Sequence, residues 1–234
     1  MLLAAGRGER MRPLTDSTPK PLLRVRGQPL LYWSIQALAR GGFSRLVVNT
    51  AWLGEQIEQQ LSAWQHTRPE LQIAFSREGR DFGRALETAG GIARALPGLD
   101  EVFWVLAGDV YAPTFVFSAA SVQRFAASER LAHLWLVPNP PQHPGGDFGL
   151  AADGSALPQA AEQLTYSGIG LYRRALFEPP WCELAPGNPH GVVQPLAALL
   201  RAAMAAGRVS AERHAGVWVD VGTPERLAEL NAAP

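Results

Sequence analysis

The chain has 234 residues, of which 47% are hydrophobic, and its 21 basic side chains balance 21 acidic ones. A formal charge of zero excludes a global field that would attract nucleic acid or a membrane surface, and no apolar run approaches the roughly 20 residues that span a bilayer. The single cysteine, Cys182, excludes an internal disulfide and a cysteine-based metal site. We therefore expect a cytoplasmic protein with one sizeable core.

The first half of the chain alternates short apolar runs with amphipathic segments. Apolar runs predict strands, and apolar residues at helical spacing predict helices. The strands are expected at 1–4, 45–49, 71–75 and 101–107, and the helices at 30–40, 53–64 and 88–96. This repetition predicts an α/β fold, with a Rossmann-like, mixed and mostly parallel sheet flanked by helices on both faces. In such sheets, ligands bind outside the carboxyl ends of the strands.

The second half is less regular. Helices are expected at 113–127, 192–206 and 223–230, and strands at 133–137, 166–172 and 217–220, with a turn-rich break at 138–146. Thr223 and Pro224 suit the N-cap and the first position of the last helix. The chain shows no repeat and no long linker, so we expect one domain over 1–234.

The turn after the first strand has the features of a phosphate-binding loop. Gly6 and Gly8 let backbone N–H groups approach an anion without interference from a Cβ atom. Arg10 follows at once, and Lys20 lies between two prolines, whose rings restrict the backbone around it. Arg10 and Lys20 would supply the countercharge for a polyphosphate.

Other types of phosphate loop do not fit the spacing. A dinucleotide fingerprint requires a third glycine where Met11 stands, and an acidic residue at the end of the second strand, where Asn49 stands. The P-loop string Gly-x-x-x-x-Gly-Lys-Ser/Thr does not occur in the chain. A tight glycine turn with surface charges is the remaining alternative, and the restricted backbone around Lys20 argues against it.

Two aspartates follow apolar strands that lie far apart in the sequence. Asp109 ends the run 105–109, and Asp220 ends the run 217–220. A carboxylate at a strand exit is held at a water-accessible edge while the core anchors its backbone. Two hard oxygen ligands suit Mg²⁺, which keeps waters and completes its octahedron with substrate phosphates. For either aspartate alone, strand-end solvation or helix capping is the alternative.

Residues 3–23 resemble the signature of the sugar-1-phosphate nucleotidyltransferases, Gly-x-Gly-x-Arg-Met/Leu-x-Pro-Leu-Thr followed by Pro-Lys-Pro-Leu. Residues 106–109 resemble the Gly-Asp metal motif of that family, and 218–223 resemble its second, C-terminal metal motif. The resemblance implies the nucleotide-diphospho-sugar transferase fold, with a nucleotide-binding half at about 1–112 and a sugar-binding half, carrying the second metal aspartate, at about 113–234. It also implies that a nucleoside triphosphate and a sugar 1-phosphate react, with Mg²⁺, to give a nucleoside-diphosphate sugar and pyrophosphate.

The resemblance assigns roles to individual residues. Lys20 binds phosphates at the reacting centre, Arg10 helps to hold the leaving pyrophosphate, and Asp109 and Asp220 are the metal ligands. These four residues are the candidate catalytic residues. The candidate nucleotide contacts in the loop are Ala4, Ala5, Gly6 and Gly8.

Residues 85–91 resemble the family's Leu-Gly-Thr-Ala-Gly segment, which lies against the base and ribose, but Glu87 replaces the usual glycine. Glu87 and Gly90 are therefore candidate nucleotide contacts. A helix N-terminal charge that complements the dipole is the alternative for Glu87. Together with 50–54 and 218–223, this segment most resembles the branch of uridylyltransferases that act on N-acetylmuramate 1-phosphate in cell-wall recycling, so UTP is favoured.

Residues 146–150 resemble the family's Asp-Tyr/Phe-Gly element on the sugar-binding side, and 166–169 resemble the strand behind it. Many members carry Glu-Lys-Pro between these elements, whereas this chain has no lysine at that place, which weakens glucose as the acceptor sugar. The candidate sugar contacts are Asp147, Gly149, Glu162 and Ser167. The alternatives are a mannose- or heptose-1-phosphate guanylyltransferase and, in another class, a non-catalytic nucleotide-sugar-binding module. The five histidines lack metal-ligand spacing and are expected to be surface or packing residues.

Overall fold

The computed structural model describes residues 1–232. The strands are β1 (Leu2–Ala4), β2 (Arg24–Val25), β3 (Gln28–Pro29), β4 (Arg45–Thr50), β5 (Gln72–Arg77), β6 (Val102–Ala107), β7 (Val110–Tyr111), β8 (Ala132–Val137), β9 (Gly149–Leu150), β10 (Ala156–Leu157), β11 (Thr165–Arg173), β12 (Val209–Arg213) and β13 (Val219–Asp220). The α-helices are α1 (Leu14–Ser17), α2 (Leu30–Arg40), α3 (Gly54–Gln65), α4 (Glu78–Phe82), α5 (Glu87–Ala95), α6 (Ala119–Ala126), α7 (Leu196–Ala205) and α8 (Pro224–Ala232). Short 3₁₀ helices cover Glu9–Met11, Lys20–Leu22, Leu96–Gly98 and Arg174–Phe177.

The main sheet has seven strands in the order β12-β8-β11-β6-β1-β4-β5. Strand β1 pairs in parallel with β4 and with β6, and β4 pairs in parallel with β5. Strand β8 is parallel to β12 and antiparallel to β11. The predicted mixed, mostly parallel sheet with helices is therefore confirmed. Within residues 1–232, no helix combines the length and the apolar character that crossing a membrane requires.

The chain forms two compact units. The first contains Met1–Leu86, Leu106–Ser118 and the segment from Gly216 onward, and the second contains Glu87–Val105 and Ala119–Ala215. The first unit therefore holds the glycine loop together with Asp109 and Asp220, although more than 100 residues separate the two aspartates in the sequence.

The predicted ends of some helices are confirmed where glycine, proline or a capping residue marks them in the sequence. Helix α2 covers the predicted 30–40 and ends at Gly41, which is its C-cap. Helix α8 begins at Pro224, and the Thr223 hydroxyl accepts a hydrogen bond from the backbone N–H of Arg226 at 3.4 Å. This is the predicted capping arrangement.

The helix predicted at 113–127 is wrong in its first half, because α6 begins only at Ala119. Phe115 and Phe117 are buried, whereas Val116 between them is 75% exposed. That alternation is the period of an extended chain rather than of a helix. The two phenylalanine rings lie 4.6 Å apart, so burying both of them favours the extended segment.

Two further predictions differ in extent. The helix expected at 192–206 begins at Leu196, because Pro195 has the extended backbone of an N-cap residue. The strand expected at 217–220 is reduced to β13, which pairs with β7 outside the main sheet. The sequence also did not predict α4, nor the edge strand β12.

Candidate active site

The glycine loop follows β1 and packs against the stem of Lys20. Gly8 has a left-handed backbone with φ of 66° and caps the 3₁₀ helix Glu9–Met11. A Cβ atom on Gly8 would lie 3.1 Å from Cβ of Lys20 and 3.2 Å from Cγ2 of Thr15. The Thr15 hydroxyl donates to the Gly8 carbonyl at 2.8 Å. Both the conformation and the space at this position therefore favour glycine.

Lys20 places its charge at the turn between β6 and β7 that carries Asp109. Its side chain is 10% exposed, and its Nζ donates to Oδ2 of Asp109 at 2.5 Å. The Asp109 side chain is 35% exposed, so this ion pair lies at the boundary with solvent. An ammonium group has three donors, and Lys20 can therefore keep this contact and also bind a phosphate oxygen.

The two candidate metal ligands lie on neighbouring backbone segments. In the antiparallel pair of β13 and β7, Asp220 lies opposite Val110, and Val221 N–H donates to the Asp109 carbonyl at 2.9 Å. Oδ2 of Asp220 accepts a hydrogen bond from Nη1 of Arg226 at 2.6 Å, and the same Nη1 donates to the Asp220 carbonyl at 2.8 Å. Arg226, which the sequence did not single out, thus orients Asp220 from α8.

The donor set fits a cation that relies on its substrate for further ligands. Among residues 1–232, no group of three or more histidine, cysteine, aspartate or glutamate side chains could hold a metal ion. A dedicated all-protein cage therefore does not fit. Two carboxylates at an accessible edge do fit Mg²⁺, which takes its remaining ligands from water and phosphate oxygens.

Arg10 and Arg7 occupy different environments in the loop. Arg10 is exposed and forms no hydrogen bond or ion pair with the described part of the chain, residues 1–232. The Arg7 guanidinium lies over the Trp52 ring, 3.9 Å from its centroid. Nε1 of Trp52 in turn donates to the Thr15 carbonyl at 2.8 Å. Arg7 is therefore a second cation of this loop, and its position between two glycines is the signal that could have indicated it.

A hydrophobic cluster anchors three of the segments that carry candidate catalytic groups, those of Arg10, Asp109 and Asp220. Met11 follows Arg10, Tyr111 lies close after Asp109, and Val221 follows Asp220; all three belong to one buried cluster. Its other buried members are Leu23, Val25, Leu30, Leu227 and Leu230. Each segment therefore has its own apolar anchor next to its polar group, and this restricts movement of the polar groups.

Glu87 and Gly90 lie in the second unit and differ in exposure and in backbone conformation. Glu87, the first residue of α5, is exposed and has a left-handed backbone with φ of 60°. This conformation explains why the resembling family has glycine at this position. Gly90 is buried, and its N–H donates to the Gln194 carbonyl at 3.0 Å. The Gly90 N–H is therefore already hydrogen-bonded within the second unit.

The four candidate sugar contacts also differ. Oδ2 of Asp147 accepts from the Tyr166 N–H at 2.8 Å, and Oδ1 lies 3.1 Å from Nε2 of His143. His143, which the sequence predicts to be a surface or packing residue, thus contacts the candidate sugar-binding residue Asp147. Burial raises the pKa of the Tyr166 hydroxyl above its usual range. Ser167 is fully buried, and its Oγ accepts from the Ile169 N–H.

Gly149 and Glu162 complete this set. A Cβ atom on Gly149 would collide with Cβ of Ala160, so this glycine permits close packing. Glu162 is exposed on the surface of the second unit. Asp147 and Glu162 therefore remain accessible to a ligand, whereas Gly149 and Ser167 support the structure around them.

Comparisons with known proteins agree with the family resemblance of residues 3–23. The nucleotidyl transferase family model matches residues 1–233. The chain is 47% identical over 236 residues to N-acetylmuramate alpha-1-phosphate uridylyltransferase of Neisseria meningitidis serogroup B, which covers 99% of this chain and 96% of that protein. It is 31% identical over 246 residues to the protein of the same name from Caulobacter vibrioides, with 98% and 96% covered.

A solved structure supports the fold independently. HddC from Yersinia pseudotuberculosis superposes with a TM-score of 0.72 at 18% identity, over 98% of this chain and 96% of that one. The resemblance that residues 3–23 indicated is confirmed by the match over nearly the whole chain. The chain belongs to the nucleotidyl transferase family.

Proposed function

We propose that this protein is a Mg²⁺-dependent enzyme that converts UTP and N-acetylmuramate 1-phosphate into the corresponding UDP-sugar and pyrophosphate, in the cytoplasm and in cell-wall recycling. The observation that most directly supports this proposal is the ion pair of Lys20 Nζ and Asp109 Oδ2 at 2.5 Å, in the same unit as the glycine loop and Asp220. The choice of substrates is supported by the 47% identity, over 99% of the chain, to a uridylyltransferase of that specificity.

The chemistry is an in-line displacement at phosphorus. An oxygen of the sugar phosphate attacks the α-phosphorus of the nucleotide, the bond to the bridging oxygen breaks, and pyrophosphate leaves with that electron pair. Such a transfer depends on positioning and on neutralisation of charge rather than on a covalent enzyme intermediate.

The residues of this chain supply both requirements. Backbone N–H groups of the glycine loop and the exposed guanidinium of Arg10 hold the β- and γ-phosphates. Lys20, kept close to Asp109, neutralises charge between the two reacting phosphates. Asp109 and Asp220 would hold Mg²⁺, which supplies charge neutralisation at the α-phosphate when bound.

Substrate identity is tested by pyrophosphate release in the presence of Mg²⁺. The assay crosses UTP, GTP, dTTP and CTP with muramate-, glucosamine-, mannose- and heptose-1-phosphates. We expect the highest kcat/KM for UTP with N-acetylmuramate 1-phosphate and no release after chelation of divalent metal. A preference for GTP would overturn the uridylyl assignment, and no release with any pair would favour a binding module.

The assignment of the reacting centre is tested by matched variants. Lys20→Ala and Asp109→Asn are each expected to lower kcat by about two orders of magnitude, the scale for loss of one preorganised electrostatic group. Asp16→Asn is the control, because Asp16 is an aspartate of the same unit whose ion pair with Arg12, at 2.8 Å, is exposed. Turnover close to that of the unmodified protein in either variant at Lys20 or Asp109 would refute the assignment.

A further inference from the structure

A buried hydrogen-bond relay connects the end of β1 with β4 and α4. Asn49, in β4, is 3% exposed, and Glu78, the first residue of α4, is fully buried. Oδ1 of Asn49 accepts from the Ala4 N–H at 2.7 Å, and its Nδ2 donates to Oε1 of Glu78 at 2.7 Å. Oε2 of Glu78 accepts from the Leu86 N–H at 2.8 Å. All four residues belong to the first unit.

The relay is costly to build and therefore unlike ordinary packing. Removing a carboxylate from water is unfavourable unless hydrogen bonds satisfy it. Both carboxylate oxygens of Glu78 accept a hydrogen bond, one from Asn49 and one from the backbone N–H of Leu86. A buried polar network whose members are satisfied favours one arrangement of the groups it joins. The groups joined here are two backbone amides, those of Ala4 and Leu86.

Both amides lie next to candidate nucleotide contacts. Ala4 is followed by Ala5 and the glycine loop, and Leu86 directly precedes Glu87 in the sequence. Close packing leaves α4 little freedom, because a Cβ atom on Gly79 would lie 2.6 Å from the Ala51 carbonyl oxygen, just after β4. The relay thus holds the point at which the chain leaves β1 to form the loop.

We propose that Asn49 and Glu78 are positioning residues for nucleotide binding. Glu78 orients the amide of Asn49 so that its Oδ1 faces the Ala4 N–H, and this contact sets the direction in which the glycine loop presents its own N–H groups to a triphosphate. The inference rests on the proposed function in one respect, namely that the loop binds a nucleoside triphosphate.

The polarity of the relay provides a sharp test. In Glu78→Gln, one acceptor becomes a donor, so either the Asn49 Nδ2 or the Leu86 N–H meets another donor. In Asn49→Asp, two carboxylates face each other. The double variant with Asn49→Asp and Glu78→Gln exchanges amide and carboxylate, and every donor within the relay again meets an acceptor.

We expect each single variant to raise the Kd and KM for UTP about tenfold or more, as for one unsatisfied buried group. The KM for the sugar phosphate and kcat at saturating UTP are expected to change far less. The double variant should recover most of the affinity for UTP. Thr50→Val is the matched control, because Thr50 is also buried in β4 and its hydroxyl donates to Glu58 at 2.9 Å, outside the relay.

Calorimetric UTP titration, steady-state kinetics and thermal unfolding of all four variants separate the outcomes. Single variants that lose thermal stability but bind UTP as the unmodified protein does would overturn the inference, since the relay would then be only structural. A double variant that folds but does not regain UTP affinity would also overturn it. If the unmodified protein binds no nucleoside triphosphate, the proposed function fails instead.

Discussion

Replacing Gly8 by alanine tests how closely the glycine loop and Lys20 are fitted. The backbone of Gly8 has φ of 66°, and a side chain in the left-handed region costs about 1–2 kcal/mol. The added Cβ would lie 3.1 Å from Cβ of Lys20 and 3.2 Å from Cγ2 of Thr15, so these neighbours must move by a few tenths of an ångström. We expect Gly8→Ala to lose about 1–2 kcal/mol of unfolding free energy. Because Lys20 is displaced, we also expect kcat/KM to fall about tenfold or more, since misplacement by about 1 Å costs about a hundredfold.

Gly42→Ala separates the backbone cost from the displacement of Lys20. Gly42 has φ of 87°, and a Cβ atom there would meet nothing within 4 Å. Its loss of stability in urea unfolding should therefore match that of Gly8→Ala or be slightly smaller, with unchanged kcat/KM. If Gly8→Ala retained full activity at a comparable loss of stability, the fit between the loop and Lys20 would not matter for the reaction, and this argument would be refuted.

Three further predictions concern Glu87, Glu212 and the metal. Glu87→Gly removes the strain at φ of 60°, so we expect unchanged or slightly higher stability in urea but a raised KM for UTP; an unchanged KM would exclude a nucleotide contact. Glu212 lies in β12, where Nε2 of His133 is 3.6 Å from its Oε2 and Nε1 of Trp135 donates to its Oε1. These partners hold the pKa of Glu212 below its usual value of 4.5, so its contribution to stability is present above pH 4.5 and is lost as the pH falls through the lowered pKa. Acid unfolding of Glu212→Gln should lack this component, and an identical pH profile would contradict the assignment. Calorimetry should find that Mg²⁺ binds weakly to the protein alone and more tightly with UTP, because Asp109 and Asp220 are each paired with a cation; tight binding without nucleotide would contradict this.

The accuracy of the sequence-based predictions varied with the kind of signal. The bounds of α2 were predictable, because Pro29 and Gly41 mark both ends in the sequence itself. The edge strand β12 was missed, because Val209–Arg213 contains few apolar residues and lies at the margin of the sheet, where little burial is required. In 113–118, the alternation of buried and exposed residues competes with helical spacing, and tertiary packing decides the outcome.

In the candidate site, too, some residues could be predicted from the sequence and others could not. The glycine loop and Lys20 form one contiguous motif, so the residue types and spacing identify them. The relay could not be predicted, since Asn49 lies near the end of an apolar strand, Glu78 lies in a polar stretch, and the two are 29 residues apart in the sequence. Glu87 could be noticed as a replacement for glycine, but its left-handed backbone is a property of the folded chain.

The ion pairs at the site explain why metal and nucleotide are expected to bind together. Asp109 is paired with Lys20, and Asp220 with Arg226 at 2.6 Å, so each candidate metal ligand already has a positive partner. A free divalent cation would meet two neutralised carboxylates and would experience repulsion from both cations. A nucleoside triphosphate changes this balance, because its phosphates accept the donors of Lys20 and at the same time offer oxygen ligands to the metal. The same pairing limits the energetic cost of holding two carboxylates on neighbouring backbone segments before the substrates arrive.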